Sequence, residues 1–355
     1  MSLFDLPLQT SLSYLQKLAE QSLSLWDVPE DARVRLINVS ENTTYLVEAS
    51  QGYQAILRIH RENYHTLRAI ESELAWLEAL GREKVIKTPG YFLGRNGRAI
   101  QLGNTDGLNN ARFMVLFHFV DGDAPDESVD MVYGFQELGA IAARCHDHAI
   151  SWVKPTHFER LTWDADAVFG PAATWGNWRD APLVDRDIAE VLEEVEETVC
   201  ARLAAFGKAP ERFNLIHADM RLANLLVGQE GTRLIDFDDC GHGWFLYDFA
   251  ASISFIEDDP RIPTFKAAWV RGYRSVRGLS AEDEAEIETF IMFRRMALLA
   301  WIGSHIQAPE PQQMAPKYAS ISAQIGKLYL KRHQKCCWVS KFNPGVEIRC
   351  CDTRR

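Results

Sequence analysis

No run of the 355-residue chain is apolar and long enough to span a bilayer, which argues against a membrane partner. The opening MSLFDLPLQTSLSYLQ lacks the basic cap and apolar core of a signal peptide, so a cytoplasmic protein is expected. A basic surplus is also missing: 38 Lys and Arg face 49 Asp and Glu, for a net charge of −11. That excludes the electropositive face on which a nucleic-acid binder depends. The seven cysteines show no two-residue spacing of a zinc site. Four of them form adjacent pairs, Cys336-Cys337 and Cys350-Cys351, whose thiolates cannot readily converge on one ion. Residues 335–355 also lack helical or strand periodicity and read as an irregular tail. Cys145, Cys200 and Cys240 read as reduced, mostly buried thiols. No repeat recurs at a fixed period.

What is present is an ordinary globular composition, 47% hydrophobic and 25% charged, in a chain long enough for two lobes around a cleft. Residues 34–39, 45–48 and 54–60 are short, rich in β-branched and aromatic side chains, and separated by turn signals. Over 66–80 the period changes, with Leu67, Ile70, Leu74, Leu77 and Leu80 three or four apart, which predicts a helix. Strands follow near 98–102 and 113–119. Beyond Asp121-Gly122-Asp123 the pattern is helical: Phe135, Leu138, Ala142, Cys145 and Ala149 share a face, and further helices are predicted over 186–206 and 280–301. Ser280 with Asp283 resembles a capping box at the start of the last. The exception is an island of short strands over 213–237.

That island carries the chemistry. His217, Asp219 and Asn224 occur as H-x-D-x-x-x-x-N, and Ile235-Asp236-Phe237-Asp238 follows. Apolar 225–227 and 234–235 flank a Gly-Gln-Glu-Gly turn and predict a hairpin that returns Asp236 beside Asn224. Two oxygen ligands there suit a hard divalent cation. Asp219, on the preceding loop, would face an acceptor hydroxyl.

The pattern resembles the catalytic and metal loops of the aminoglycoside phosphotransferase family, which also contains choline kinases and type II homoserine kinases. Ala218 stands where protein kinases carry Arg, and Asp238 where they carry the Gly of D-F-G; no A-P-E segment is evident. Both departures point to the small-molecule branch. The resemblance spans about 35–305 and implies a bilobal α+β protein-kinase-like fold. Its first lobe, 1–117, would be an antiparallel sheet with one main helix, and its second, 118–334, mostly helical. It further implies an enzyme that uses Mg²⁺ to move the terminal phosphate of ATP or GTP to a hydroxyl of an amino alcohol, hydroxy amino acid or aminoglycoside. A stress-response protein kinase and a non-catalytic nucleotide-binding regulator are the competing readings.

By the same resemblance Asp219 is the catalytic base, Asn224 and Asp236 hold metal, and His217 braces the loop. Asp248 in Leu246-Tyr-Asp-Phe-Ala is the buried acid tying that loop to the helical lobe. The usual first-lobe lysine is absent, since none occurs between Lys17 and Lys84. Strand alternation places Arg58 in its position, with Glu73 of the next helix as its partner. The phosphate loop falls at Ser40, Thr43 and Thr44. Phe117 would lie behind the adenine, and the main chain of His118 and Val120 would pair with its edge.

Two further features are left as alternatives or discounted. Arg294 and Arg295 interrupt an apolar helix and need an acidic partner or a substrate carboxylate. Cys145-His146-Asp147-His148 diverges around a helix and reads as its polar end, and Trp175 and Trp178 read as core anchors.

Overall fold

The computed structural model describes residues 8–39, 42–125, 131–228 and 231–342, the side chains of Leu8 and 334–342 excepted. Its first lobe is one antiparallel sheet between two helices. Helix α1 (Leu8–Ser22) precedes β1 (Arg33–Val39), β2 (Thr43–Glu48) and β3 (Gln54–Ile59). Helix α2 (Leu67–Arg82) then leads to β4 (Ile100–Gly103) and β5 (Arg112–His118). The strand order is β1-β2-β3-β5-β4. Period-two alternation sorts the side chains. Leu57 and Ile59 pack with Leu15 and Leu18 of α1, while Val115 and Phe117 pack with Ile70 and Leu74 of α2. The sequence reading had one helix here; α1 is the second, covering the opposite face.

Thr66, the residue before the first turn, caps α2 by accepting from Ala69 N at 3.0 Å. Register on the sheet places Arg58 opposite Thr44 on β2 and Val115 on β5. Arg58 therefore points to the α2 face, toward the cleft.

The second lobe is built on α3 (Met131–Ser151), β6 (Leu161–Trp163), α4 (Ala165–Phe169), α5 (Arg186–Phe206) and β7 (Phe213–Ile216). Next come β8 (Leu225–Gly228), β9 (Gly231–Leu234), β10 (Gly241–Trp244), α6 (Leu246–Ser252) and α7 (Ile262–Arg274). Last are α8 (Ala281–Ala285), α9 (Ile287–Ser304) and α10 (Pro309–Phe342). The helix expected over 280–301 is thus two, α8 and α9, parted at Glu286. Ser280 does cap the first, accepting from Asp283 N at 3.0 Å. The backbone of α10 runs to Phe342, into the segment expected to be irregular.

Strands β6, β10 and β7 form one small sheet, and β8 and β9 the hairpin, in register from Leu225–Leu234 to Gly228–Gly231. The expected face of α3 is buried throughout. It packs on α7 at a contact made by glycine. A Cβ at Gly139 would collide with the Trp269 carbonyl, and one at Gly272 with the Gln136 carbonyl. Contact this close sets the position of the helix that braces the catalytic loop. Gly272→Ala is expected to cost about 1–3 kcal/mol, seen as a lower midpoint in urea unfolding; an unchanged midpoint would mean the helices have room to part.

Candidate active site

Asp248 is fully buried beneath the loop that follows β7. Its Oδ1 accepts from Ala218 N at 2.8 Å, and its Oδ2 from His217 N at 3.2 Å. His146 of α3 brings Nε2 within 2.9 Å of the same Oδ2, and Tyr273 of α7 meets its other ring nitrogen at 3.0 Å. The expected role of Asp248 is therefore visible as geometry. His146, by contrast, is no polar helix end: it is fully buried and stacked on Phe245 at 4.1 Å, and its ring completes the brace. His148 likewise turns inward, to Trp76.

His217 holds the loop from inside. Its Nδ1 accepts from Asp219 N at 3.3 Å, so the proton is on Nε2, which donates to Ile235 O at 3.0 Å. Burial drives its pKa down, in keeping with a neutral ring. Ala218 and Asp236 both adopt left-handed backbone, φ 67° and 61°. For residues other than glycine such conformations cost roughly 1–3 kcal/mol each and persist only where surroundings enforce them.

Asp219 emerges from this brace into the cleft between the lobes. Its Oδ2 accepts from Asn224 Nδ2 at 2.9 Å, and its Oδ1 from Arg294 Nη2 at 3.1 Å; Arg221 Nε stands 3.3 Å away. Burial alone would raise this carboxyl, but the Arg221 and Arg294 guanidiniums outweigh it and hold it below the usual range. Arg294 thus has an acid for a partner, and Arg295 has another, Glu257 at 2.6 Å.

Arg58 and Glu73 meet as the strand and helix patterns predict. One guanidinium nitrogen, Nη2, donates to both Glu73 oxygens, at 2.6 and 2.7 Å, with the pair almost wholly buried. The other, Nη1, lies 3.7 Å from Asp236 and 3.8 Å from Asp238. Asp238, absent from the expected site, has His65 at 3.4 Å and His60 at 3.6 Å. His65 and Arg58 outweigh burial and keep its carboxyl well below the usual range.

Beside Arg58 a cavity of about 360 Å³ is walled by Ile56, Leu77, Phe117, Leu226 and Ile235. Its rim carries Thr44, His118 and Val120. Phe117 lies beneath the Arg58 guanidinium, 4.9 Å from ring centre to Cζ. Two expectations change. Thr43 is buried on the other face of β2 and does not line the cavity. His118 N already donates to Gly90 O at 2.8 Å, which takes this N–H, though not the His118 carbonyl, out of an adenine edge. Ser40 lies outside the described residues.

A second cavity, about 340 Å³, opens on the other side of the hairpin end. Trp175, Phe255, Leu298 and Trp301 supply its apolar wall, and Asp219, Asp236, Asp238, Asp239 and Glu310 its acids. Trp175 is a core residue, as expected, but its ring also faces this space. Nothing in the sequence connected Phe255, Trp301 or Glu310 to the loop, because Phe255 comes from the turn after α6 and the other two from α9 and α10.

Asn224 and Asp236 line both cavities. Ile235 N donates to Asn224 O at 2.9 Å, which closes the hairpin and sets the two side chains together. The Asn224 amide nitrogen is engaged by Asp219, leaving its oxygen for a cation. Burial, joined by the carboxylates of Asp238, Asp219 and Glu73, pushes the Asp236 carboxyl up to about 7 against the pull of Arg58. Its side chain keeps 46% of its surface open, which moderates that push. The donor set is one hard-oxygen pair in a surplus of negative charge, and it fits a divalent cation.

A solved microcompartment-associated aminopropanol kinase shares 42% identity with this chain, at a TM-score of 0.82, covering 88% of this chain and 97% of that one. Amicoumacin kinase hAmiN, in complex with AMP-PNP, Ca²⁺ and Ami, has a TM-score of 0.71 at 20% identity, covering 89% and 95%. That likeness shows the fold. The amicoumacin kinase of Bacillus subtilis is 24% identical over 283 residues, 75% of this chain and 78% of its own. The profile of the phosphotransferase enzyme family matches residues 33–284, and the chain belongs to that family, with its protein-kinase-like fold.

Proposed function

We propose that this enzyme moves the γ-phosphoryl group of ATP, with Mg²⁺, to the hydroxyl of a small amino alcohol. The observation that carries this reading is that Asn224 and Asp236 line both cavities. The apolar slot beside Arg58 and the Val120 edge suit a base and its phosphates. The acidic, aromatic-walled cavity beyond suits the acceptor. Mg²⁺ bound between Asn224 and Asp236 would neutralise phosphate oxygens as charge redistributes in transfer.

The residues of the chain do the rest. Arg58, fixed by Glu73, offers Nη1 toward the phosphates. Asp219 orients the acceptor hydroxyl and takes its proton as the new P–O bond forms and the bond from the γ-phosphorus to the bridging oxygen breaks, releasing ADP. Its depressed pKa makes it a weak base, which suits a loose transition state in which little proton removal is needed early. The acceptor class follows from charge and likeness. The second cavity is lined by five carboxylates (Asp219, Asp236, Asp238, Asp239, Glu310) against two guanidiniums (Arg221, Arg294), and this favours an ammonium group. Trp175, Trp301 and Phe255 give the same cavity an aromatic wall, on which Arg294 and Arg221 already lie over Trp175 and Phe255. The 42% identity to an aminopropanol kinase supports a small acceptor.

ADP release with Mg²⁺ is expected to rise with aminopropanol or ethanolamine and to stay at background with propanediol, which lacks the amine. Asp219→Ala should lower kcat by about 10²–10⁴-fold while leaving nucleotide affinity near that of the unaltered enzyme. Equal turnover of propanediol would remove the ammonium argument, and an active Asp219→Ala enzyme would remove the base.

Arg58→Met leaves Glu73 buried without its cation. It should destabilise the protein by about 3–5 kcal/mol, and nucleotide should no longer raise the melting temperature. A variant still shifted by Mg-ATP as the unaltered protein is would show that Arg58 does not serve the nucleotide.

A further inference from the structure

Helix α9 is buried almost all round, and a charged side chain in its middle calls for an explanation. Arg294 is 2% exposed. Its Nε donates to Ser254 Oγ at 3.2 Å, its Nη1 to Tyr247 Oη at 3.1 Å and its Nη2 to Asp219 Oδ1 at 3.1 Å. Its Cζ lies 5.0 Å from the Trp175 ring centre and 5.4 Å from that of Tyr247. The guanidinium is thus held from three sides before it reaches Asp219. Arg221, the other cation at Asp219, differs: its side chain is 31% exposed and stands 3.8 Å from Glu310, so it is free to exchange partners.

We infer that Arg294 is a positioning residue for the transfer, a fixed cation that sets the plane of the Asp219 carboxylate. This rests on the reading of Asp219 as the proton acceptor. The geometry separates the two oxygens by their donors. Asn224 donates to Oδ2 and Arg294 to Oδ1, while Arg221 Nε stands 3.3 Å from both oxygens. An acceptor hydroxyl that displaces Arg221 meets a carboxylate already aimed. Without Arg294, Oδ1 would lose its only fixed donor, and the carboxylate could turn about its side-chain bonds. A misplacement of about 1 Å in a reacting group is enough to slow turnover roughly a hundredfold.

The test uses the full chain with Mg-ATP and aminopropanol, in the single variants Arg294→Met, Arg294→Lys and Asp219→Asn and the double variant Asp219→Asn/Arg294→Met. Arg294→Met should lower kcat roughly a hundredfold with both KM values changed by less than about threefold, and added guanidinium ion should restore part of the rate. In the Asp219→Asn background the same replacement should change the residual kcat by less than about threefold, since its effect runs through the missing carboxylate. Crystals of Arg294→Met with AMP-PNP should show Asp219 turned from its place, whichever acceptor the enzyme takes. An undisturbed Asp219 in those crystals, or an equal loss of rate with and without the Asp219 carboxylate, would overturn the inference. An active Asp219→Asn enzyme would instead overturn the base reading, with the crystal comparison still deciding the contact. Should Arg294→Met not fold, the double variant, which buries no unpaired charge, and Arg294→Lys carry the same comparisons.

Discussion

One buried carboxylate converts the packing of helices into the geometry of the reactive loop. Asp248 takes the main-chain N–H groups of His217 and Ala218 and the imidazole of His146, and each of these donors is itself enclosed. Removing the acceptor would orphan two backbone amides and a ring nitrogen at once, a far larger loss than any single bond suggests. The left-handed turn at Ala218 depends on this arrangement, because an extended backbone there would pull one amide away from Asp248. With the turn in place Asp219 is delivered to the cleft, and the His217 ring reaches across to Ile235 and so to Asp236. The glycine contact between α3 and α7 belongs to the same chain of causes, since it sets His146 and Tyr273 side by side.

Helix α9 plays a comparable part from the opposite side. Arg294 touches the catalytic loop, and one residue later Arg295 binds Glu257, Ser322 and the Tyr318 carbonyl. The same helix offers Leu298 and Trp301 to the acceptor cavity. Just past its end His305 meets Arg61 of the first lobe. Successive turns of one element therefore reach Asp219, the wall of the second cavity and the lobe interface. A helix this apolar is positioned by its burial, and its two arginines are held in exact partners because an unpaired charge there would be costly.

Much of this was legible in the sequence, and the reason is local. The H-x-D-x-x-x-x-N and I-D-F-D motifs lie on one hairpin, so their spacing alone returns Asn224 beside Asp236. The Arg58–Glu73 pair joins neighbouring elements, and two simple periodicities, 2.0 and 3.6, suffice to orient it. The amphipathic face of α3 was legible for the same reason. His146 was not, because a histidine's role depends on what lies opposite, and Asp248 is 102 residues away. Arg294 could be recognised only as a charge in need of a partner, since choosing Asp219 over other acids requires the tertiary fold. The engagement of His118 N with Gly90 O is likewise a matter of how a loop docks on a strand end.

The substitution of arginine for the usual lysine is best understood together with Asp238. A lysine ammonium is compact, whereas the guanidinium has a second face that must also be satisfied when buried. Here one face is filled by Glu73, and the other looks toward Asp236 and Asp238. The carboxylate at the position of the protein-kinase glycine thus stands where the larger cation needs a counter-charge, close enough to balance it without a direct bond. Asp238 also has His65 beside it, and Arg58 Nη1 divides its charge between Asp238 and Asp236. Burial and neighbouring carboxylates act against the ionisation of Asp236, and Arg58 acts for it. Arg58 and Asp238 are therefore two parts of one electrostatic arrangement, and a change in either alters the charge around Asp236.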